Sequence, residues 1–175
     1  DSWKQLLADP DKQWQDNFSA KMLADCWEGA IDFPKSWKPA LSYAKLEIEM
    51  VFGFPEFKVA LDHYGRASQN DLFVIARDNF ESYCIAVEGK VKEDFGPSIQ
   101  AWYQDPSDNK KERLKGLLNR LNLDPNPNQH FTQRYQLYHR TVSALLMAER
   151  LHSKNAMMVV HSFSQTDAHL EDFND

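Results

Sequence analysis

The chain has 175 residues, is 42% hydrophobic, 13% aromatic and 26% charged, and carries a net charge of -6. That composition excludes intrinsic disorder, and no apolar run approaches the ~20 residues of a membrane span. One domain burying roughly 70% of its unfolded surface is expected for this length. The acidic balance argues against a sequence-blind grip on nucleic acid, which needs a basic surface, but leaves room for a metal-dependent nuclease, whose carboxylates make it locally acidic. No basic segment followed by an apolar stretch opens the chain, so a retained signal peptide is not expected. Cys26 and Cys84 sit among apolar neighbours and read as reduced core residues, which points to the cytoplasm.

In chain order, residues 1–35 read as a helical extension. Ser19 opens a helix over 19–30, with Met22, Leu23, Cys26 and Trp27 at helical spacing, and Trp3, Trp14 and Phe18 anchor the extension. A second helix is expected over 36–52, with Ser36 as N-cap, Pro39 in its first turn, and Gly53 and Pro55 as its stop. Its apolar face collects Trp37, Leu41, Ala44, Ile48, Val51 and Phe52, and Glu47 falls inside that arc. Three strands follow, at 57–64, 71–76 and 82–91, the last two joined by a hairpin turn at 78–81. Residues 94–125 form an insertion containing a helix over 110–121. A long helix over 133–152 leads to a final, almost wholly apolar strand over 156–163 and a tail over 164–175. A strand, long helix and strand imply a parallel pair. The expected product is a single domain of α/β (strictly α+β) class, a central mixed sheet flanked by helices.

Two carboxylates and a lysine stand out. Asp71 begins the second strand, and Glu88-Gly89-Lys90 ends the third. Strand alternation points Glu88 and Lys90 to one face, and the hairpin brings Asp71 towards them. Two carboxylates and the Gly89 carbonyl suit a hard divalent cation, Mg²⁺ or Mn²⁺. Such an ion offsets the charge that develops on phosphorus oxygens and acidifies a bound water, while Lys90 orients that water or stabilises the transition state. The acid–any–lysine pattern occurs three times. Glu56-Phe57-Lys58 follows Pro55 with no strand-borne Asp before it, and Asp108-Asn109-Lys110 lies in a polar loop. Only Glu88-Gly89-Lys90 closes an apolar strand after a strand-borne Asp.

On these residues the chain resembles the PD-(D/E)XK superfamily, the restriction-endonuclease-like fold. The order from Ser36 to Phe163, helix, three strands, helix, strand, is similar to that fold's αβββαβ core. The stretches SQNDLFVIAR, AVEGKV, RYQLYHRT and VVHSF are similar to an uncharacterised bacterial family within it. Asn70 stands where the motif's nominal Pro would be. The resemblance implies Asp71 and Glu88 as metal ligands, Lys90 as the catalytic lysine, and Glu47 as the helical acid some members add. Many such nucleases act as dimers, so a homodimer is compatible with it.

Arg134 and Gln133, at the start of the long helix, and Lys92, on the face of Lys90, are candidates for holding substrate phosphate. The alternatives are a Glu47–Arg134 ion pair and a solvated Lys92. The run Lys110, Lys111, Arg113, Lys115 and Arg120 reads as a solvated helix face before it reads as a phosphate rail. His139 and His161 lack zinc spacing, and His161 reads as a satisfied core histidine. The expected activity is metal-dependent phosphodiester hydrolysis of nucleic acid, DNA first. The competing expectation is a non-catalytic nucleic-acid- or protein-binding regulatory protein that retains the nuclease fold.

Overall fold

The computed structural model describes residues 3–166 and 170–174; positions 1–2 of the extension and 167–169 and 175 of the tail lie outside the described residues. The N-terminal part contains a 3-10 turn (Trp3–Leu6) and the helices α1 (Pro10–Gln13) and α2 (Ser19–Trp27), followed by α3 (Lys38–Tyr43). Next come the strands β1 (Glu49–Val59), β2 (Ser68–Arg77) and β3 (Ser82–Lys90). Helices α4 (Ile99–Trp102), α5 (Asp108–Arg120) and α6 (Tyr135–Arg150) then lead to the strand β4 (Asn155–Ser162) and the short α7 (Leu170–Asn174). The sheet order is β1-β2-β3-β4. The first three strands pair antiparallel, and β4 pairs parallel to β3. The mixed sheet with flanking helices is thus the α+β architecture that the sequence pattern implies.

Both faces of the sheet are covered, which is why β3 is apolar along most of its length. Against one face, Phe73, Cys84 and Ala86 pack on Ala144 and Ala148 of α6. Against the other, Leu72, Val74, Ile85 and Val87 pack on Leu23, Trp27, Phe33 and Trp37. The extension is therefore one of the two layers that close the core. At ~1.5–3 kcal/mol for each large buried side chain, its removal would strip the sheet of a whole face. The insertion is integral as well: Ile99, Leu114, Leu117 and Leu118 share a cluster with Val59 and Val142.

The expected helix over 36–52 is corrected. Helical structure ends at Tyr43, and by Glu49 the chain is already in β1. The 3.6-residue spacing of Ile48, Val51 and Phe52 is coincidental. Their β-branched and aromatic side chains favour a strand, and pairing with β2 from Glu49 to Val59, interrupted by a bulge between Met50 and Phe52, decides the matter. Gly53 and Pro55, read as a helix stop, sit inside an edge strand, where a proline is tolerated. The first strand accordingly runs Glu49–Val59 and not over 57–64. No helix among the described residues is long and apolar enough to cross a membrane.

Candidate functional site

The ladders bring three acids into line. Pro55 pairs with Leu72 and Phe57 with Asn70, which sets Glu56 across from Asp71. Leu72 pairs with Val87, which sets Asp71 across from Glu88. Like charges facing one another across antiparallel strands destabilise a sheet, so packing alone gives no reason for this row. Glu56 also adopts a left-handed backbone (φ 52°), uncommon for a residue other than glycine and frequent at functional sites.

The row lines a cavity of about 430 Å³. Four carboxylates (Glu56, Asp71, Glu88 and Glu93) and two cations (Lys90 and Arg140) face it, and Gln13, Phe18 and Ser19 of the extension also line it. Gly89 explains how the extension comes so close. A β-carbon there would run into the Leu23 side chain and lie 3.3 Å from Ser19 Cβ, so only glycine lets the start of α2 rest on β3. The Ser19 N–H donates to Glu93 Oε1 (3.0 Å), and Glu93 Oε2 accepts from the Val91 and Lys92 N–H groups. Glu93 thus supplies the cap that Phe18, at the N-cap of α2, cannot. These backbone donors hold its carboxyl below the usual range against the opposing effect of burial.

Glu88 and Asp71 differ sharply in surroundings. The Glu88 side chain is 3% exposed. Its Oε1 accepts from Lys90 Nζ and Gln136 Nε2, both at 2.6 Å, and its Oε2 from Arg140 Nε at 2.6 Å. Asp71 is 22% exposed, and its Oδ1 lies 3.9 Å from Arg140 Nη2. Its Oδ2 accepts from the Gly89 N–H at 2.9 Å. Burial, reinforced by the Glu88 charge and more weakly by Glu56, pushes the Asp71 carboxyl up to about 8 against the opposing pull of Arg140 and the Gly89 N–H. The Glu56 carboxyl is also raised, by burial first, although it accepts from Gln69 Nε2 (2.6 Å) and Trp3 Nε1 (3.3 Å). The cavity gathers more carboxyl groups than its two cations can offset, and Asp71 is the one whose ionisation is opposed most strongly.

The structure therefore brings Asp71, Glu88, Gly89 and Lys90 together. It does not bring Glu47, which is exposed in the turn before β1 and lines a separate cavity with Asp32 and Lys38. The third acid of the row is Glu56, from the pattern discounted because Pro55 precedes it. Arg134 does not reach the cavity: its Nε donates to Asp172 (2.8 Å) and its Nη1 to the Gly96 carbonyl (2.8 Å). This also replaces the alternative pairing with Glu47. Gln133 Oε1 is buried without a hydrogen-bond partner among the described residues, and Lys92 is exposed. The α6 side chains that do reach Glu88 are Gln136 and Arg140. Their i, i+4 spacing on the sheet-facing stripe of a helix was the available signal. Much of the basic run is paired within the chain, Lys111 with Asp108 and Arg113 with Asp62. His161 is the core histidine expected, its Nδ1 accepting from Trp27 Nε1 (3.3 Å) and Trp37 Nε1 (3.1 Å).

Fold and site together define a mixed α+β protein with an acid-rich cavity where three strands, α6 and the N-terminal extension meet. The chain belongs to the DUF6946 family, described as a domain of unknown function, whose model matches residues 1–175. No curated protein and no solved structure matches the chain.

Proposed function

We propose that the protein is a metal-dependent phosphodiesterase acting on nucleic acid, with a PD-(D/E)XK-type core and DNA as its first candidate substrate. The observation that carries this reading is the acid row with Lys90 held on Glu88. The donor set suits a hard cation. It consists of carboxyl oxygens packed closely enough to oppose one another's ionisation, and Asp71, the more open of the central pair, is the one whose proton a cation would displace. Among the described residues no group of three or more His, Cys, Asp or Glu side chains is arranged to hold a metal ion. In this reading a Mg²⁺ or Mn²⁺ ion would take only Asp71 and Glu88 as side-chain ligands, with backbone and water oxygens completing its shell. When bound, such an ion supplies charge neutralisation at a phosphate and a more acidic water. Lys90 Nζ stands on Glu88 Oε1, where it can orient a water or stabilise negative charge developing on phosphate oxygens. Gln136 and Arg140 position Glu88, and Gly89 positions Asp71.

A specific observation favours a second reading, a regulatory protein that keeps the fold without catalysis. Both Glu88 oxygens are already occupied by Lys90, Gln136 and Arg140. One experiment separates the two. Purified protein is incubated with single- and double-stranded DNA and RNA in Mg²⁺ or Mn²⁺, beside Asp71→Asn and Lys90→Ala. The nuclease reading predicts metal-dependent cleavage reduced at least 100-fold in both variants. Absence of cleavage of all four substrates, or full activity in Lys90→Ala, overturns it.

A further inference from the structure

A second cavity, of about 370 Å³, is lined by Ser68 and His139 and has the opposite polarity. Arg140 connects the two cavities: its Nε donates to Glu88 (2.6 Å) and its Nη1 to Ser68 Oγ (3.0 Å). Three cations line the second cavity, Arg66, Lys110 and Arg113, and no carboxylate does. Asp62 stands outside the lining and forks Arg113 through Nε (2.6 Å) and Nη2 (3.0 Å). That pair fixes the guanidinium, and Arg113 Nη1 donates to the Arg66 carbonyl (2.9 Å). Lys110 Nζ donates to the Trp102 carbonyl (2.8 Å), which engages one of its three donors. Arg66 is exposed and forms no ion pair among the described residues. Ser107 and Asn109, at the start of the 13-residue α5, complete one wall, where a helix N-terminus adds positive potential. Trp102 and Tyr64 add ring surface.

Two cations without an ion pair among the described residues, beside a fixed guanidinium, are conspicuous in a chain of net charge -6. They exceed what a single carboxylate needs and match a phosphate group, which arginine and lysine hold by forked and point-charge contacts. The volume falls within the range of small-ligand sites. We propose that this cavity binds a phosphate group carried on a nucleotide, either within a strand or as a free mononucleotide. The cavity itself stands on its own geometry. The inference rests on the nuclease reading only in taking the phosphate's carrier to be a nucleotide.

The test is calorimetric titration in EDTA, so that it does not depend on the acid row. The protein carries Asp71→Asn, and the probes are inorganic phosphate, a nucleoside monophosphate and an eight-nucleotide single-stranded DNA. Arg66→Glu and Lys110→Gln are the variants, with melting curves to confirm folding. The proposal expects nucleotide or oligonucleotide binding at least tenfold tighter than phosphate, and weakened at least tenfold by Arg66→Glu. For the oligonucleotide, the salt slope should fall by about one for each lost phosphate contact. A strand as the source gives oligonucleotide tighter than mononucleotide; a free nucleotide gives equal affinities. Binding of none of the probes, equal affinity for phosphate alone, or affinity unchanged in both variants overturns the proposal. A wild-type protein that cleaves DNA yet fails this test keeps the nuclease reading and loses only this site.

Discussion

The two cavities that meet at Arg140 are built from the same helix and neighbouring ends of the same sheet, yet they treat charge differently. In the acid cavity, Asp71, Glu88 and Glu56 stand in a row, and the carboxyl of Asp71 is raised because its burial and the neighbouring acids oppose ionisation. In the basic cavity, Arg113 is matched by Asp62, whose carboxyl that guanidinium pulls down to about 2. One cavity leaves a titrating acid under pressure; the other fixes a cation and leaves Arg66 and Lys110 with donors to spare. Surplus charge of either sign costs stability, and it persists where a ligand of opposite sign relieves it.

The comparison breaks most severely at Arg140, which lines the acid cavity and reaches the basic one through Ser68. Arg140→Ala removes the Oε2 partner of a carboxylate that is 3% exposed. Leaving a buried charge short of a partner costs about 3–5 kcal/mol, read as a fall in the denaturation midpoint. A loss below about 1 kcal/mol would mean that Lys90 and Gln136 suffice for Glu88.

The pH dependence sharpens the contrast because the two cavities titrate with opposite sign. In the basic cavity burial, helped by Arg140 and Arg113, pulls His139 down to about 3; outside both cavities, burial pulls the core residue His161 to about 4. The unfolded chain takes up these protons near pH 6.5 and the folded chain does not. Stability therefore falls as pH drops from about 6.5 towards 4, and His139→Gln should flatten part of that limb. Asp71 works the other way. The unfolded chain releases its proton near pH 4 and the folded protein holds it towards 8, so stability without metal falls as pH rises across that window. Asp71→Asn should flatten the rising-pH limb and add about 1–2 kcal/mol at pH 8, a gain of about 2–8 °C in melting temperature. Unchanged stability in Asp71→Asn would show that the acid row is not strained. The smallest effect is expected at Arg66→Gln, within about 0.5 kcal/mol, because Arg66 is exposed and forms no ion pair among the described residues.

Much of this architecture is legible in the sequence. The run from Asp71 through the 78–81 turn to Lys90 announced an antiparallel pair, because alternation and turn chemistry are local. The final helix and apolar strand announced the parallel pair in the same way. The course of β1 was not legible. Ile48, Val51 and Phe52 fit a helical face as well as a strand, and only partnership with β2, a long-range fact, chooses between them. That single ambiguity misplaced the third acid, since an acid at 47 belongs to the site only if a helix carries it there. The α6 partners were missed for a related reason. A wheel count gives a stripe but not its depth along the sheet, so Arg134 was favoured where Gln136 and Arg140, further along, face Glu88. The role of residues 1–35 as a core layer rests on contacts such as Leu23 against Gly89, which no local pattern encodes.

The central claim is that the acid row is a cation site with Asp71 as its open ligand. Melting the protein at pH 8 with Mn²⁺ from zero to 10 mM, in parallel with Asp71→Asn, tests it most directly, because an ion that binds only the folded state stabilises it by mass action. The account predicts a saturable rise of several degrees in the wild type and none in the variant. A flat titration, or an equal rise in both proteins, would contradict it.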